Sequence, residues 1–376
     1  MNFRLASIVA MSAFVAIGGC KKKEKEGGDA SSDAGASAAE PSFKANREVT
    51  ALLKSISEGC TVSVDSPSVY SCKNKEDSAL SDFIRKSRPK DLYETYASLL
   101  SSTDAKMRAI AIYEANSSLF TLDNDLRKAN ATKPVATAFL DAYAKDDGYA
   151  VHFAEPAVAL GFLAGLKDRV FKVTESVHTD AKKKGYRKFL QYGGMEVFPK
   201  VQQAAKEKDL AYAALEAPYY LSDWTEAEKG PVCPWAKGYL ADASSSVAAE
   251  AGRVMIKCKS PYIEALLDEG EKRLAAKTLE EPFAGMLGQV CSSFAMGAEI
   301  ETNPLCKRNF VFLEKMVNDP SLKPDVRASA LYNIFSQRRN KESLAVMRKY
   351  QRSKVPEIAK RAKDAIDQLA TQYKIK

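Results

Sequence analysis

The sequence predicts an all-α protein, an α-solenoid of antiparallel helix pairs with one small strand hairpin near the N-terminus of its body. Three observations carry that reading. Between Val355 and Tyr373 the apolar residues Ile358, Ala362, Ala365, Ile366 and Leu369 fall at i, i+4, i+7, i+8 and i+11, one stripe, with Lys360, Lys363, Asp364 and Asp367 on the other face. About 31 residues upstream, Pro324-Asp325 opens a similar helix whose stripe is Val326, Ala330, Leu331, Ile334 and Phe335. Each is preceded by a partner helix, over 309–318 and 342–350, and a helix pair recurring at a near-constant interval marks a repeat architecture.

Taken from the N-terminus, Arg4 supplies a positive charge and residues 5–17 an apolar stretch, broken by Ser7 and Ser12, that is too short to span a bilayer. Ile17-Gly18-Gly19-Cys20 follows. This order of charge, apolar run, small pair and cysteine resembles the signal peptide and lipobox of bacterial lipoproteins, over about the first 20 residues. The resemblance implies removal of residues 1–19, lipid attachment at Cys20 and a lipid-anchored chain in the bacterial cell envelope, on its periplasmic or cell-surface side. One acyl chain binds marginally and each buried CH₂ adds about 0.8 kcal/mol, so the two or three chains of such an anchor hold firmly. Lys21 stands where an aspartate resembles an inner-membrane retention signal in some bacteria, which favours the outer membrane. No second run of 18 apolar residues follows.

Residues 20–43 read as a tether. Lys21 to Lys23, then Glu24, Lys25 and Glu26, lead into Gly, Ser, Ala and Asp, with too little apolar surface to offset the entropy of ordering. A random coil of that length reaches about 25–30 Å. Solubility is the plain reading of its lysines, contact with anionic headgroups the alternative.

Beyond the tether, 45% apolar residues suffice for a continuous core. The formal charge is +8, or +7 once Arg4 is removed with the leader. Basic clusters lie at Lys182 to Lys184 with Arg187 and Lys188, and along 338–363, without the base-reading pattern of a nucleic-acid module. No nucleic-acid partner is expected. Solvated helix faces are the plain reading, and contact with anionic lipid or cell-wall polymer the alternative.

Seven cysteines are odd, but setting Cys20 aside leaves six, which pair in 15 ways. Proximity in sequence suggests Cys60 with Cys72, Cys233 with Cys258 and Cys291 with Cys306, each worth about 3 kcal/mol, against the alternative of buried free thiols. The first pair fits best. Cys60-Thr61-Val62-Ser63-Val64 alternates like a strand, Asp65-Ser66-Pro67-Ser68 supplies turn chemistry, and Val69-Tyr70-Ser71-Cys72 returns. Residues 44–88 therefore read as an N-terminal helix plus a stapled hairpin, and 89–376 as the helical-repeat domain. No C-x-x-C occurs, and the two histidines, His152 and His178, are 26 residues apart, so neither metal nor cofactor is expected.

Pro324-Asp325-Val326-Arg327-Ala328-Ser329-Ala330-Leu331 resembles the second helix of a HEAT repeat, with Asp near the helix start, Arg shortly after, then a small residue and Leu. Thr103-Asp104-Ala105-Lys106-Met107-Arg108-Ala109-Ile110-Ala111 is similar, with one more residue between Asp and Arg. Val247 to Met255 keeps the alanines and lacks the aspartate. The resemblance touches about half of the body and implies stacked helix pairs in which Ala111, Ala330 and Ala362 let helix axes approach. Gly185, Gly193, Gly194, Pro199 and Pro218 are expected to interrupt the pattern between Gly148 and Leu221.

The chain carries no G-x-S-x-G elbow, H-E-x-x-H pair or P-loop, and Asp146-Asp147-Gly148 reads as a helix-ending turn rather than a calcium loop. His152 and His178 read as packed or surface residues. Both tryptophans, two prolines and a cysteine within Trp224–Trp235 suggest a fixed loop between helices, and Tyr219, Tyr220, Trp224 and Trp235 are the candidate interaction residues. Two functions fit. One is a lipid-anchored, non-catalytic scaffold whose helical surface, the concave face of the solenoid, binds an envelope protein or polymer. The other is an envelope enzyme or small-ligand binder with a site around His152, His178 and carboxylates of the irregular 148–235 region.

Overall fold

Asn46 starts the first helix, its side-chain oxygen accepting the N–H groups of Glu48 and Val49 at 3.0 and 3.2 Å, and α1 (Arg47–Gly59) then buries Val49, Leu53 and Ile56 on one face. The computed structural model describes residues 43–62, 70–72, 76–145, 149–221, 224–293 and 298–375. Cys20, the expected leader and tether, the turn at Asp65 to Ser68 and Asp146 to Gly148 lie outside them. After α1, β1 (Cys60–Val62) pairs antiparallel with β2 (Tyr70–Cys72), with Cys60 opposite Cys72 and a disulfide joining them. The stapled hairpin is therefore present where the alternating residues place it.

Helices make up the rest. They run α2 (Glu76–Ser87), α3 (Leu92–Leu99), α4 (Ala105–Thr121), α5 (Asn124–Asn130), α6 (Lys133–Ala144), α7 (Ala150–Leu163), α8 (Lys167–Ser176), α9 (Thr179–Gly193) and α10 (Phe198–Ala204). Then follow α11 (Ala211–Glu216), α12 (Glu226–Lys237), α13 (Ser245–Cys258), α14 (Tyr262–Ala275), α15 (Glu281–Leu287), α16 (Ala298–Thr302), α17 (Pro304–Asn318), α18 (Pro324–Gln337), α19 (Lys341–Tyr350) and α20 (Pro356–Thr371). The all-α class holds. In α18 and α20 the expected stripes are the buried ones, Val326, Ala330, Leu331, Ile334 and Phe335 in the first, Ile358, Ala362, Ala365 and Leu369 in the second.

The contacts within Ser42–Lys376, one compact unit, have a regular order. One row of helices packs side to side: α4 on α7, α7 on α9, α9 on α11, α11 on α13, α13 on α15, α15 on α18 and α18 on α20. A second row includes α3 on α6, α6 on α8, and further along α14 on α17. Neighbours in sequence join the rows, as α3 with α4, α6 with α7, α12 with α13, α17 with α18 and α19 with α20. Ala111, Ala330 and Ala362 are at most 1% exposed, which places small side chains where these helices meet.

Gly185 does not interrupt a helix. It lies within α9, where an added Cβ would come 2.9 Å from the Tyr143 hydroxyl and 3.1 Å from Thr174, so its missing side chain lets α9 approach α6 and α8. Gly194, at φ +66°, does end α9, while Pro199 and Pro218 sit in first turns, of α10 and of the 3-10 helix Ala217–Tyr220. The loop expected over Trp224–Trp235 is instead mostly α12. Thr225 and Glu228 form a capping box, and Val232, Cys233 and Ala236 are buried, which together outweigh Pro231 and Pro234.

Cys233 and Cys258 are bridged, tying α12 to α13. Cys291 and Cys306, expected to pair, are instead free thiols. Both are fully shielded, and they contact each other by a hydrogen bond; Asn309 Nδ2 lies 3.9 Å from Cys291 Sγ. That hydrogen bond, with burial adding to it, pushes the Cys291 thiol up, and the same bond brings Cys306 down against its own burial. A fully shielded thiol pair offers an oxidant no path, and packs as two small apolar side chains.

Candidate functional site

Lys188 is the centre of the most unusual cluster. It lies on α9, the helix that packs against both α7 and the 3-10 helix Ala217–Tyr220. Its ammonium is 2.9 Å from Glu155 Oε1 on α7, with side chains only 8% and 21% exposed, so the pair is largely withdrawn from water. The same nitrogen lies 4.0 Å from the Tyr220 ring centroid and 5.5 Å from that of Phe120 on α4. A lysine so enclosed needs both a carboxylate and π faces to compensate its lost hydration.

Tyr220 continues the cluster. Its hydroxyl donates to Glu216 Oε1 at 2.8 Å while Glu216 Oε2 holds Arg187 Nε at 2.6 Å, and burial together with that carboxylate raises the Tyr220 phenol well above its ordinary value. The Tyr219 ring stands edge-on to Tyr220, 5.9 Å between centroids. Lys257, on α13, lies 4.1 Å from the Tyr219 ring and 5.7 Å from that of Trp224, and donates to the Tyr219 carbonyl at 2.5 Å. Burial lowers the Lys257 ammonium below its ordinary value.

Phe120, Lys188, Tyr220, Tyr219, Lys257 and Trp224 thus form one band across α4, α9, the 3-10 helix and α13. Phe120 is 65% exposed and Tyr219 47%, so the band opens to solvent at these two rings. An exposed aromatic beside a desolvated cation offers a partner apolar contact area and a positive edge in one place.

Three of the four aromatic residues singled out in the sequence, Tyr219, Tyr220 and Trp224, belong to this band. Trp235 does not. Its ring packs edge-on against Phe198 at 5.2 Å and Tyr239 at 5.7 Å, joining α10 to α12. Phe120, Lys188 and Lys257 carried no sequence signal beyond the basic run that includes Lys188, because only folding brings residues so far apart together.

His152 and His178 are positioned differently. His152 is half-buried in the first turn of α7, its backbone carbonyl accepting from Asn116 at 2.9 Å, and burial with Lys184 lowers its imidazole below the ordinary value. His178 is the exposed N-cap of α9. Among the described residues the one group of three potential metal donors is Cys60, Cys72 and Glu76. Its two sulfurs are joined as the disulfide, leaving no thiolate to ligate. No protein-family model, curated protein or solved structure matches the chain.

Proposed function

We propose that this chain is a lipid-anchored protein of the bacterial cell envelope whose body is a HEAT-like α-solenoid, acting as a non-catalytic scaffold for an envelope protein or polymer. The observation that carries the scaffold reading is the band from Phe120 to Trp224, which gathers side chains from α4, α9, the 3-10 helix Ala217–Tyr220 and α13 onto one surface. A repeat architecture presents such surfaces because each rung contributes a few side chains to one continuous face.

Two arginines support the HEAT-like reading. Arg327 Nε donates to the Val317 carbonyl at 2.8 Å and Arg108 Nη1 to the Ser102 carbonyl at 2.6 Å, so in both motif-bearing helices the arginine satisfies backbone oxygens of the preceding segment. An exported location is supported by the two disulfides, which persist in oxidising compartments. The anchor itself rests on the lipobox-like residues ending at Cys20.

The test is affinity capture from solubilised envelopes with the wild type and with Phe120→Ala/Tyr219→Ala/Lys257→Ala. A partner retained by the wild type and lost by the triple variant, with the melting temperature preserved, is the expected result. Recovery of no specific partner, or of the same partner by both proteins, counts against this surface.

A further inference from the structure

The formal charge of +8 is not spread along the chain. Residues 338–376 hold twelve basic and four acidic side chains, the whole of the excess. They build the last helix pair, α19 and α20, and its flanking segments. Arg338 and Lys349 are neutralised by Glu301 and Glu314. Arg339, Lys341, Arg361 and Lys374 are exposed, and none has an ion-pair partner among the described residues.

These four cations share one surface. The Arg361 guanidinium is 4.9 Å from the Tyr332 ring; Tyr332 is 5.6 Å from Phe335, Phe335 is 6.5 Å from Tyr373, and Tyr373 is 4.9 Å from the Arg339 guanidinium. Arg339 also lines an open cavity of about 450 Å³ with Asn340, Lys341, Lys374 and Ile375, and among the described residues this lining holds no carboxylate. Tyr332 and Tyr373 are 38% and 37% exposed, so each ring presents an apolar face and a hydroxyl to the outside.

Cations without a counter-charge among the described residues, set among half-exposed tyrosines, match the composition of a surface that meets lipid headgroups. The charges find phosphate, and the amphipathic rings sit at the polar–apolar boundary. We infer that this terminal cap docks on the surface of an anionic phospholipid bilayer through Arg339, Lys341, Arg361 and Lys374, with Tyr332 and Tyr373 at headgroup level. A nucleic acid fits less well, because the two disulfides favour an oxidising compartment. The docking requires neither the lipid at Cys20 nor the band around Lys188, so it stands or falls separately from the proposed function.

The experiment is vesicle flotation of the unit Ser42–Lys376, which contains the packed core and both disulfides and lacks Cys20. Phosphatidylcholine vesicles are compared with vesicles in which roughly a third of the lipid is phosphatidylglycerol, a mixture chosen for its negative surface potential. Binding to the anionic vesicles alone, weakening as salt is raised, is expected. Each cation at such a surface is worth roughly fivefold in partitioning, so Arg339→Gln/Lys341→Gln/Arg361→Gln/Lys374→Gln lowers binding by roughly 600-fold. Lys182→Gln/Lys183→Gln/Lys184→Gln, in the other basic cluster, leaves it unchanged. Should the quadruple variant melt early, the double variant Arg339→Gln/Lys374→Gln provides the same comparison. Equal binding to neutral vesicles, no loss in the terminal variants, equal loss in the Lys182 to Lys184 variant, or retention on double-stranded DNA without vesicle binding each overturns the inference.

Discussion

Glu301 shows how a single side chain holds the C-terminal region together. Its carboxylate accepts from Arg338 Nε at 2.8 and 3.0 Å and from Asn340 Nδ2, and the Arg338 guanidinium holds its pKa below the ordinary carboxylate range. A carboxyl depressed in the folded state stabilises fully above its unfolded pKa, and that contribution fades as pH falls through the folded value. Glu301→Gln is therefore expected to cost about 1 kcal/mol near pH 7, screened because the pair is partly exposed, with the gap to wild type closing below about pH 4. Urea unfolding at several pH values reads this directly; a gap independent of pH contradicts it. At Cys291 and Cys306, titration of the denatured, unreduced unit Ser42–Lys376 is expected to find two thiols per chain, and none in the native state. No thiol after denaturation would mean that the third bridge forms after all. Sequence proximity gave two pairings correctly and this one wrongly, because the oxidation state of two neighbouring cysteines depends on shielding and access that spacing does not encode.

Helix packing is where the sequence was most legible. The stripes of α18 and α20 were readable because an apolar period of 3.6 residues has one burial solution, and the hairpin because residues alternating from Cys60 and returning to Cys72 flank turn-forming residues, a pairing in which the two cysteines prove to lie opposite each other. The 148–235 region was less so. Gly185 reads as a breaker in isolation, yet serves inside α9 as the place where Tyr143 and Thr174 come close, a role set by partners 42 and 11 residues away. Pro231 and Pro234 likewise argued for a loop until the Thr225 capping box and the Cys233 bridge fixed α12. The close-packed row makes a direct prediction. Ala330, 1% exposed on α18 between α17 and α20, has no room for a branched side chain, so Ala330→Leu is expected to destabilise by about 1–3 kcal/mol. Thermal melting measures it, and an unchanged midpoint would contradict the packing assigned to this seam.

Across the whole molecule, the all-α body, proposed to hang from a lipid anchor, carries two surface features, the aromatic and cationic band around Lys188 and the basic cap formed by α19 and α20. Each feature was half visible in the sequence: Tyr219, Tyr220 and Trp224 stood out by type, and the basic run after Arg338 by charge. Their companions did not, since Phe120 and Lys257 join the band only through the packing of α4, α9 and α13. The scaffold reading requires the body to be held at a membrane outside the cytoplasm, and that requirement has a single chemical signature. Intact mass spectrometry of the protein purified from membranes is predicted to show a chain that begins at Cys20, with residues 1–19 absent and a diacylglyceryl-bearing thioether on its sulfur. A chain retaining residues 1–19, or beginning elsewhere with an unmodified Cys20, would contradict the account.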